Sequence, residues 1–354
     1  MQNLQDSGYR QFYLSFGDSN LRTVDWGDAA RSLQGQLRDL VGLFLLQETL
    51  ERGSVTALLG EELVEEFCSA NILCSRKGGL ACNDFYLIVS RSFYLLCQMN
   101  ARPWAYFGDD SIALATLQSP ARGGRVLDLC CGPGIQSFVA STHAREVTGV
   151  EIRPETWRIA EINSRLNGLE ERVSFCNKSA EEFAKADSGE YDLILFNPPL
   201  VPTVPGYRYA FVGDGGPDGL VVTRQIVELY HDRVSAEGHM EFIGMGLGRK
   251  DRPIVAAELS KLARKNGLQG RIHLLSQHPI RAHCPVFEAY TLSFAVENGL
   301  DLDVARSVLV EHFQAAGYDY FWLFFVSLQR APKRARRNLS TIDLTKSIWG
   351  GWFV

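Results

Sequence analysis

The chain has no cysteines at Cys-x-x-Cys spacing and no histidines at His-x-x-x-His spacing. Its eight cysteines (Cys68, Cys74, Cys82, Cys97, Cys130, Cys131, Cys176 and Cys284) and seven histidines are scattered. This excludes a zinc site of familiar spacing, and no metal is expected. No apolar run approaches the ~20 residues that span a bilayer. The longest, such as Phe321 to Leu328, read as core strands, so no membrane partner is expected. The N-terminus lacks the charged-then-apolar pattern of a secretion signal. Reduced, buried thiols in a cytoplasmic protein are therefore the expectation. An excess of positive charge is also lacking. The formal net charge is -5 and the pI is about 5.9, which argues against a large phosphate-binding surface.

What is present is ordinary globular composition, 46% hydrophobic and 22% charged, over 354 residues. That length suits two domains. Residues 1–104 read as the first. An irregular arm carries Tyr9, Phe12, Tyr13 and Phe16. A helix is expected over 28–52, with Leu33, Leu37, Leu40 and Phe44 forming one stripe. Two short helices, Val55 to Leu59 and Glu61 to Ala70, meet at Gly60, and a hairpin runs from Ile72 through Gly78-Gly79 to Val89. Helix, short helix, helix, hairpin is the order of a winged helix. Its third helix carries Glu61, Glu62, Glu65 and Glu66, which phosphates would repel. Dimerisation, making a homodimer, or a lid over substrate fits that domain better than DNA reading.

The stretch Tyr191-Asp192-Leu193-Ile194-Leu195-Phe196-Asn197-Pro198-Pro199-Leu200 organises the rest. The apolar run reads as a strand buried on both faces of a parallel sheet. Two prolines end it, and Asn197 falls at its carboxyl end, where open α/β sheets bind ligands. Upstream, Arg125 to Leu129 is another buried strand, running into Cys130-Cys131-Gly132-Pro133-Gly134 and a helix from Ile135 to Thr142. Twenty-three residues after Asp128, the strand Val147 to Val150 ends at Glu151.

Glycine turn, acid after the second strand and Asn-Pro-Pro after the fourth together resemble the class I S-adenosylmethionine (SAM) methyltransferases. Within them the chain resembles the HemK-type and adenine-N6 N-methyltransferase branch. The resemblance covers roughly residues 105–245. It implies an α/β, Rossmann-like, seven-stranded methyltransferase sheet over 105–332, with SAM as cofactor and S-adenosylhomocysteine as product. It further implies that Asp128 lies near the SAM amino group, that Gly132 and Gly134 admit the methionine part beside a small Cys130, and that Glu151 takes the ribose hydroxyls. Ser179 and Ala180 fall where the family touches adenine, Ser179 standing where Asp is usual. Ser111, read as the start of a helix from Ile112 to Leu117, matches a hydroxyl that lies near the SAM carboxylate. A catalytic thiol at Cys130 or Cys131 lacks an adjacent base. Asn197 and the Pro198 carbonyl would accept N–H hydrogens from the acceptor amine, and Asn197 also borders the cofactor.

Pro199 and Leu200 would line the acceptor. The family usually has an aromatic ring at Leu200, and Tyr207, Tyr209 or Phe211 could replace it. The loop Val201 to Gly219 carries Gly215-Gly216-Pro217-Asp218-Gly219-Leu220, which resembles a HemK-type segment, with Asp218 expected to cap the next helix. Residues 278–318 read as an insertion with a helix from Asp303 to Ala315. Residues 333–354 form a tail, with a basic run (Lys333, Arg334, Arg336, Arg337) and an apolar end, Ile348 to Val354. The leading expectation is N-methylation of a small molecule. A protein glutamine is the alternative, then a nucleobase, nucleic acid being disfavoured by charge, or a non-catalytic SAM-sensing regulator.

Overall fold

The computed structural model describes residue 4 and residues 6–15, 26–332 and 339–346. Phe16, the basic run and the apolar C-terminal end singled out above lie outside these residues.

Part of the N-terminal arm is a helix, Tyr9–Leu14, which buries Tyr9 and Tyr13. The helix expected over 28–52 divides into Trp26–Ala30 and Gly35–Phe44. Gly35, at φ 62°, separates them, and Gln47, at φ 58°, keeps the chain from continuing. Arg38 closes that corner with two hydrogen bonds to Glu48, each 2.8 Å. Arg52–Leu59 and Glu61–Ser69 follow, meeting at Gly60. The single expected hairpin is two: Leu73–Arg76 with Gly79–Cys82, then Phe85–Ser90 with Phe93–Gln98. The second turns at Arg91-Ser92, both with positive φ. That backbone usually takes Asn-Gly or Asp-Gly, so the sequence gives no turn signal there.

Among the described residues, the large sheet has eight strands. In chain order they are β1 Arg125–Leu129, β2 Glu146–Glu151, β3 Val173–Asn177, β4 Tyr191–Phe196, β5 Val234–Gly248, β6 Leu268–Pro279, β7 Tyr320–Arg330 and β8 Leu339–Asp343. They lie in the order β8-β6-β7-β5-β4-β1-β2-β3. β3, β2, β1, β4 and β5 run parallel, while β7 is antiparallel to both β5 and β6. The seven expected strands are joined by β8, which adds parallel to β6. Its exposed, polar Leu-Ser-Thr-Ile-Asp has no buried face to announce it. Helices such as Pro154–Leu166 and Val221–Tyr230 cover the sheet, which is why β1 and β4 are apolar on both faces.

The insertion contains a second helix, Pro285–Asn298, ahead of Leu302–Ala315. Pro285 opens it, and Gly299, at φ 65°, ends it. Both helices pack through Phe287, Phe294 and Phe313 against Phe321 of β7.

Candidate active site

Strand order reverses between β1 and β4, the place where such sheets leave a crevice at their carboxyl ends. Register sets what meets there. Leu129 stands opposite Phe196 on one side and Val150 on the other. The next residue on each strand, Cys130, Asn197 and Glu151, therefore reaches the same edge. A cavity of about 640 Å³ opens there. Ser111, Cys130, Gly132, Glu151, Ser179, Ala180, Asn197 and Pro199 all line it.

Asn197 is held by groups on another element. Its Nδ2 donates to Asp110 Oδ2 at 2.8 Å and to Ser111 Oγ at 3.4 Å. Asp110 is anchored on its other oxygen by the Tyr106 hydroxyl at 2.7 Å. The Asn197 Oδ1 is buried and has no partner. A carboxylate beside the amide permits only this orientation, because the flipped amide would set oxygen against oxygen. Burial lifts Asp110 above its ordinary carboxyl value despite the hydrogen bonds from Tyr106 and Asn197. Asp110 is marked in the sequence by the Asp-Ser pair it forms with Ser111, an element that resembles the Asp-Ser/Thr pair ahead of the first strand in HemK-like enzymes. Ser111 does not begin its helix, as expected, but sits at the third residue of Asp109–Leu117, where its buried hydroxyl accepts from Gly108 N at 3.3 Å. The two extra residues, Asp109 and Asp110, are acids that suit a helix N-terminus.

On the β1 side, Asp128 is wholly buried. Ser137 Oγ donates to its Oδ2 at 2.7 Å, while its Oδ1 has no partner. Burial pushes its carboxyl from an ordinary 3.8 up to about 7. Asp128 lies behind the cavity wall. Cys130 adopts φ 56°, a left-handed backbone that glycine takes up most readily. Burial raises the thiols of Cys130 and Cys131, which opposes a nucleophilic role. Gly132, at φ 54°, has open space around its Cα. Gly134 answers to packing instead: a Cβ there would meet Phe138 Cζ at 2.8 Å. It is not among the residues that line the cavity.

Glu151 accepts from Gly132 N at 3.1 Å and from Arg153 N at 2.9 Å. Burial raises its carboxyl despite both bonds. Ser179 caps the helix Ala180–Ala186 through a reciprocal pair with Glu182, 3.1 Å from the Glu182 amide and 2.8 Å back from its carboxylate. The cap uses one lone pair of the hydroxyl and leaves its O–H free to donate.

Pro198 is buried behind the cavity. Leu200 turns away too, into the hydrophobic clusters beneath the insertion and the sheet. Tyr207 and Tyr209 do not reach the cavity either. Tyr207 packs on Phe294 at 4.9 Å, and the Tyr209 hydroxyl meets Tyr290 at 3.1 Å. The insertion helix supplies a more favourable apolar partner than the open crevice. Of the loop aromatics, Phe211 faces the cavity, with Arg153 5.9 Å from its ring. Asp218 is not the cap of Val221–Tyr230. It accepts from Leu220 N at 3.1 Å and pairs with Arg224.

Residues 120–226 match the family described as a methyltransferase domain. The chain is 31% identical over 156 residues to the ribosomal protein uL3 glutamine methyltransferase of Bradyrhizobium diazoefficiens, 41% of this chain and 48% of that protein. It is 35% identical over 109 residues to the release factor glutamine methyltransferase of Rhodospirillum rubrum, 28% and 33% of the two chains. It is 29% identical over 127 residues to the tRNA1(Val) (adenine(37)-N6)-methyltransferase of Yersinia enterocolitica, 35% and 46%. The chain spans half or less of the length of these relatives. Within the α/β sheet, residues 120–226 are thus similar to a methyltransferase domain and to parts of these N-methyltransferases.

Proposed function

We propose, from this likeness to a methyltransferase domain, that the protein is a SAM-dependent N-methyltransferase whose acceptor is the carboxamide of a glutamine in a protein. The observation that carries this reading is the Asn197 carboxamide, with its nitrogen fixed by Asp110 and its buried oxygen unpartnered at the cavity. A carboxamide or aromatic amine nitrogen is a poor nucleophile because its lone pair is delocalised. A fixed acceptor for one N–H hydrogen favours localising that pair and aligns the nitrogen for in-line displacement. The proton can leave after the new bond forms, so no base need act first.

The chain's own groups fit SAM. Asp128, behind the cavity wall, keeps a buried oxygen without a partner, and a carboxylate is the natural partner for an ammonium. Glu151 holds its carboxylate at the cavity with a backbone amide on each oxygen, placed to accept from ribose hydroxyls. Bound SAM supplies a methyl group on a sulfonium sulfur.

The small-molecule acceptor expected from the sequence gives way here. Two of the three relatives above are named for protein glutamine and one for tRNA adenine. Between those, the net charge of -5 favours protein over RNA. Leu200 departs from the aromatic residue usual in both groups, and packs away from the cavity.

The test is methyl transfer from radiolabelled SAM to three pools, cell protein, cell RNA and a small-molecule extract, each with an Asn197→Ala control. Label in protein that vanishes in the control supports the reading. Label confined to RNA or to small molecules overturns the acceptor assignment.

A further inference from the structure

The strand Phe93–Gln98 belongs by sequence to the N-terminal region, and one of its edges pairs with Phe85–Ser90. Its other edge is completed by two asparagines of the helix Pro154–Leu166 and its C-terminal cap. Asn163 Oδ1 accepts from Leu96 N at 2.8 Å, and its Nδ2 donates to Leu96 O at 3.1 Å. Asn167 repeats the pattern on Tyr94, accepting from N at 2.9 Å and donating to O at 2.8 Å. The spacing explains the match. Four residues of helix rise about 6 Å and two residues of strand about 6.6 Å. Two side-chain amides thus stand in for a neighbouring strand.

Asn163 is fully buried, and it has a third contact. Its Nδ2 also donates to Pro133 O, at 3.0 Å, in the glycine turn that walls the cavity. The same strand ends in Gln98, whose Oε1 accepts from Trp104 N at 2.9 Å and Ala105 N at 3.3 Å. Trp104 lines the cavity, and its carbonyl accepts from Thr156 of the same helix at 2.8 Å. Two residues on, Tyr106 anchors Asp110.

We infer that the strand Phe93–Gln98 is part of the cofactor site, and that Asn163 and Asn167 are positioning residues that couple the N-terminal region to SAM binding. The inference rests on the cavity being the SAM site. The Asn167 side-chain bonds go to Tyr94 of the strand and to Asn163 O at 2.7 Å, so it acts on the cavity through its neighbours. Occupation of the cavity fixes Pro133 and, through Asn163, the strand edge. By reciprocity, the ordered edge favours occupation.

The test is SAM titration calorimetry on the full chain, with Asn167→Leu and Glu151→Ala beside the wild type, and hydrogen exchange at the Tyr94 and Leu96 amides with and without SAM. Asn167→Leu is expected to weaken SAM about five- to tenfold, the effect of a coupling on the order of 1 kcal/mol. SAM is expected to slow exchange at both amides in the wild type, a readout that needs no variant to fold. The inference is overturned if wild-type and Glu151→Ala titrations identify the SAM site while Asn167→Leu binds as the wild type does and SAM leaves both amides unchanged. Wild type that binds no SAM would instead overturn the cofactor reading itself.

Discussion

Asp110 accepts from Asn197 Nδ2 at 2.8 Å, and this bond fixes the carboxamide with its oxygen buried and without a partner. Asp110→Asn removes the charge that enforces the orientation. The expected result is a fall in kcat of about a hundredfold, the scale of losing one oriented polar contact to the transition state. SAM affinity should stay within about threefold. Equal losses in kcat and SAM binding would place Asp110 in the cofactor site instead.

The same bond predicts a pH dependence. Burial raises the Asp110 carboxyl, so it protonates on descending pH before an ordinary carboxylate does. Protonated Asp110 no longer excludes the flipped amide. The kcat profile should therefore fall on its acid side, at a pH above the ordinary carboxylate range. The limb should be absent in Asp110→Asn.

Asp128 gives a stability prediction of opposite sign to that of a salt-bridged carboxylate. Its folded-state carboxyl is at about 7 against an ordinary 3.8. The folded protein therefore binds the proton more tightly than the unfolded one. Stability is favoured below the unfolded value and is lost as pH rises through the interval to about 7. The difference amounts to roughly 4 kcal/mol at most. Asp128→Asn, which retains an acceptor for Ser137, should flatten the dependence. Urea unfolding at pH 5 and pH 8 measures it, and parallel curves for the two proteins would contradict it.

Cys130 lies at φ 56°, where a side chain costs about 1–2 kcal/mol. Cys130→Gly should change unfolding stability by less than about 1 kcal/mol, since relief of strain offsets the added freedom of the unfolded chain. Cys130→Val places a β-branched residue there and should cost about 2 kcal/mol or more. Urea unfolding of both variants checks the order; a valine variant as stable as the wild type would contradict the backbone argument.

The loop after Asn-Pro-Pro is clasped to the insertion. Asn298 accepts from Arg208 N at 2.9 Å and donates to Arg208 O at 3.0 Å, while the Tyr290 hydroxyl donates to Pro202 O at 2.7 Å. Asn298→Ala should raise the acceptor KM by about fivefold, the scale of one net hydrogen bond, and leave SAM affinity unchanged. Steady-state kinetics with each substrate varied in turn would separate the two.

The parallel half of the sheet was legible because β1 and β4 are apolar on both faces and end in glycine or proline. Asn197, Glu151 and Gly132 followed from those ends. The role of Asp110 was hidden because it depends on a contact 87 positions away along the chain. Tyr207 and Tyr209 misled because a loop aromatic looks alike whether it faces a cavity or the unseen helix Pro285–Asn298. The Asn163 and Asn167 pairing left no pattern, since asparagines on a helix usually face water. β8 and the Arg91-Ser92 turn lacked the alternation and the glycine that usually mark such elements.

The most direct test of the central claim is the single-turnover rate of methyl transfer to the protein pool at saturating SAM, for wild type and Asn197→Ala, with the SAM Kd of each. A rate loss of about a hundredfold or more with Kd within about threefold is expected if the Asn197 oxygen acts on the acceptor nitrogen. An unchanged rate would contradict the account, leaving Asn-Pro-Pro as no more than a rigid exit from β4.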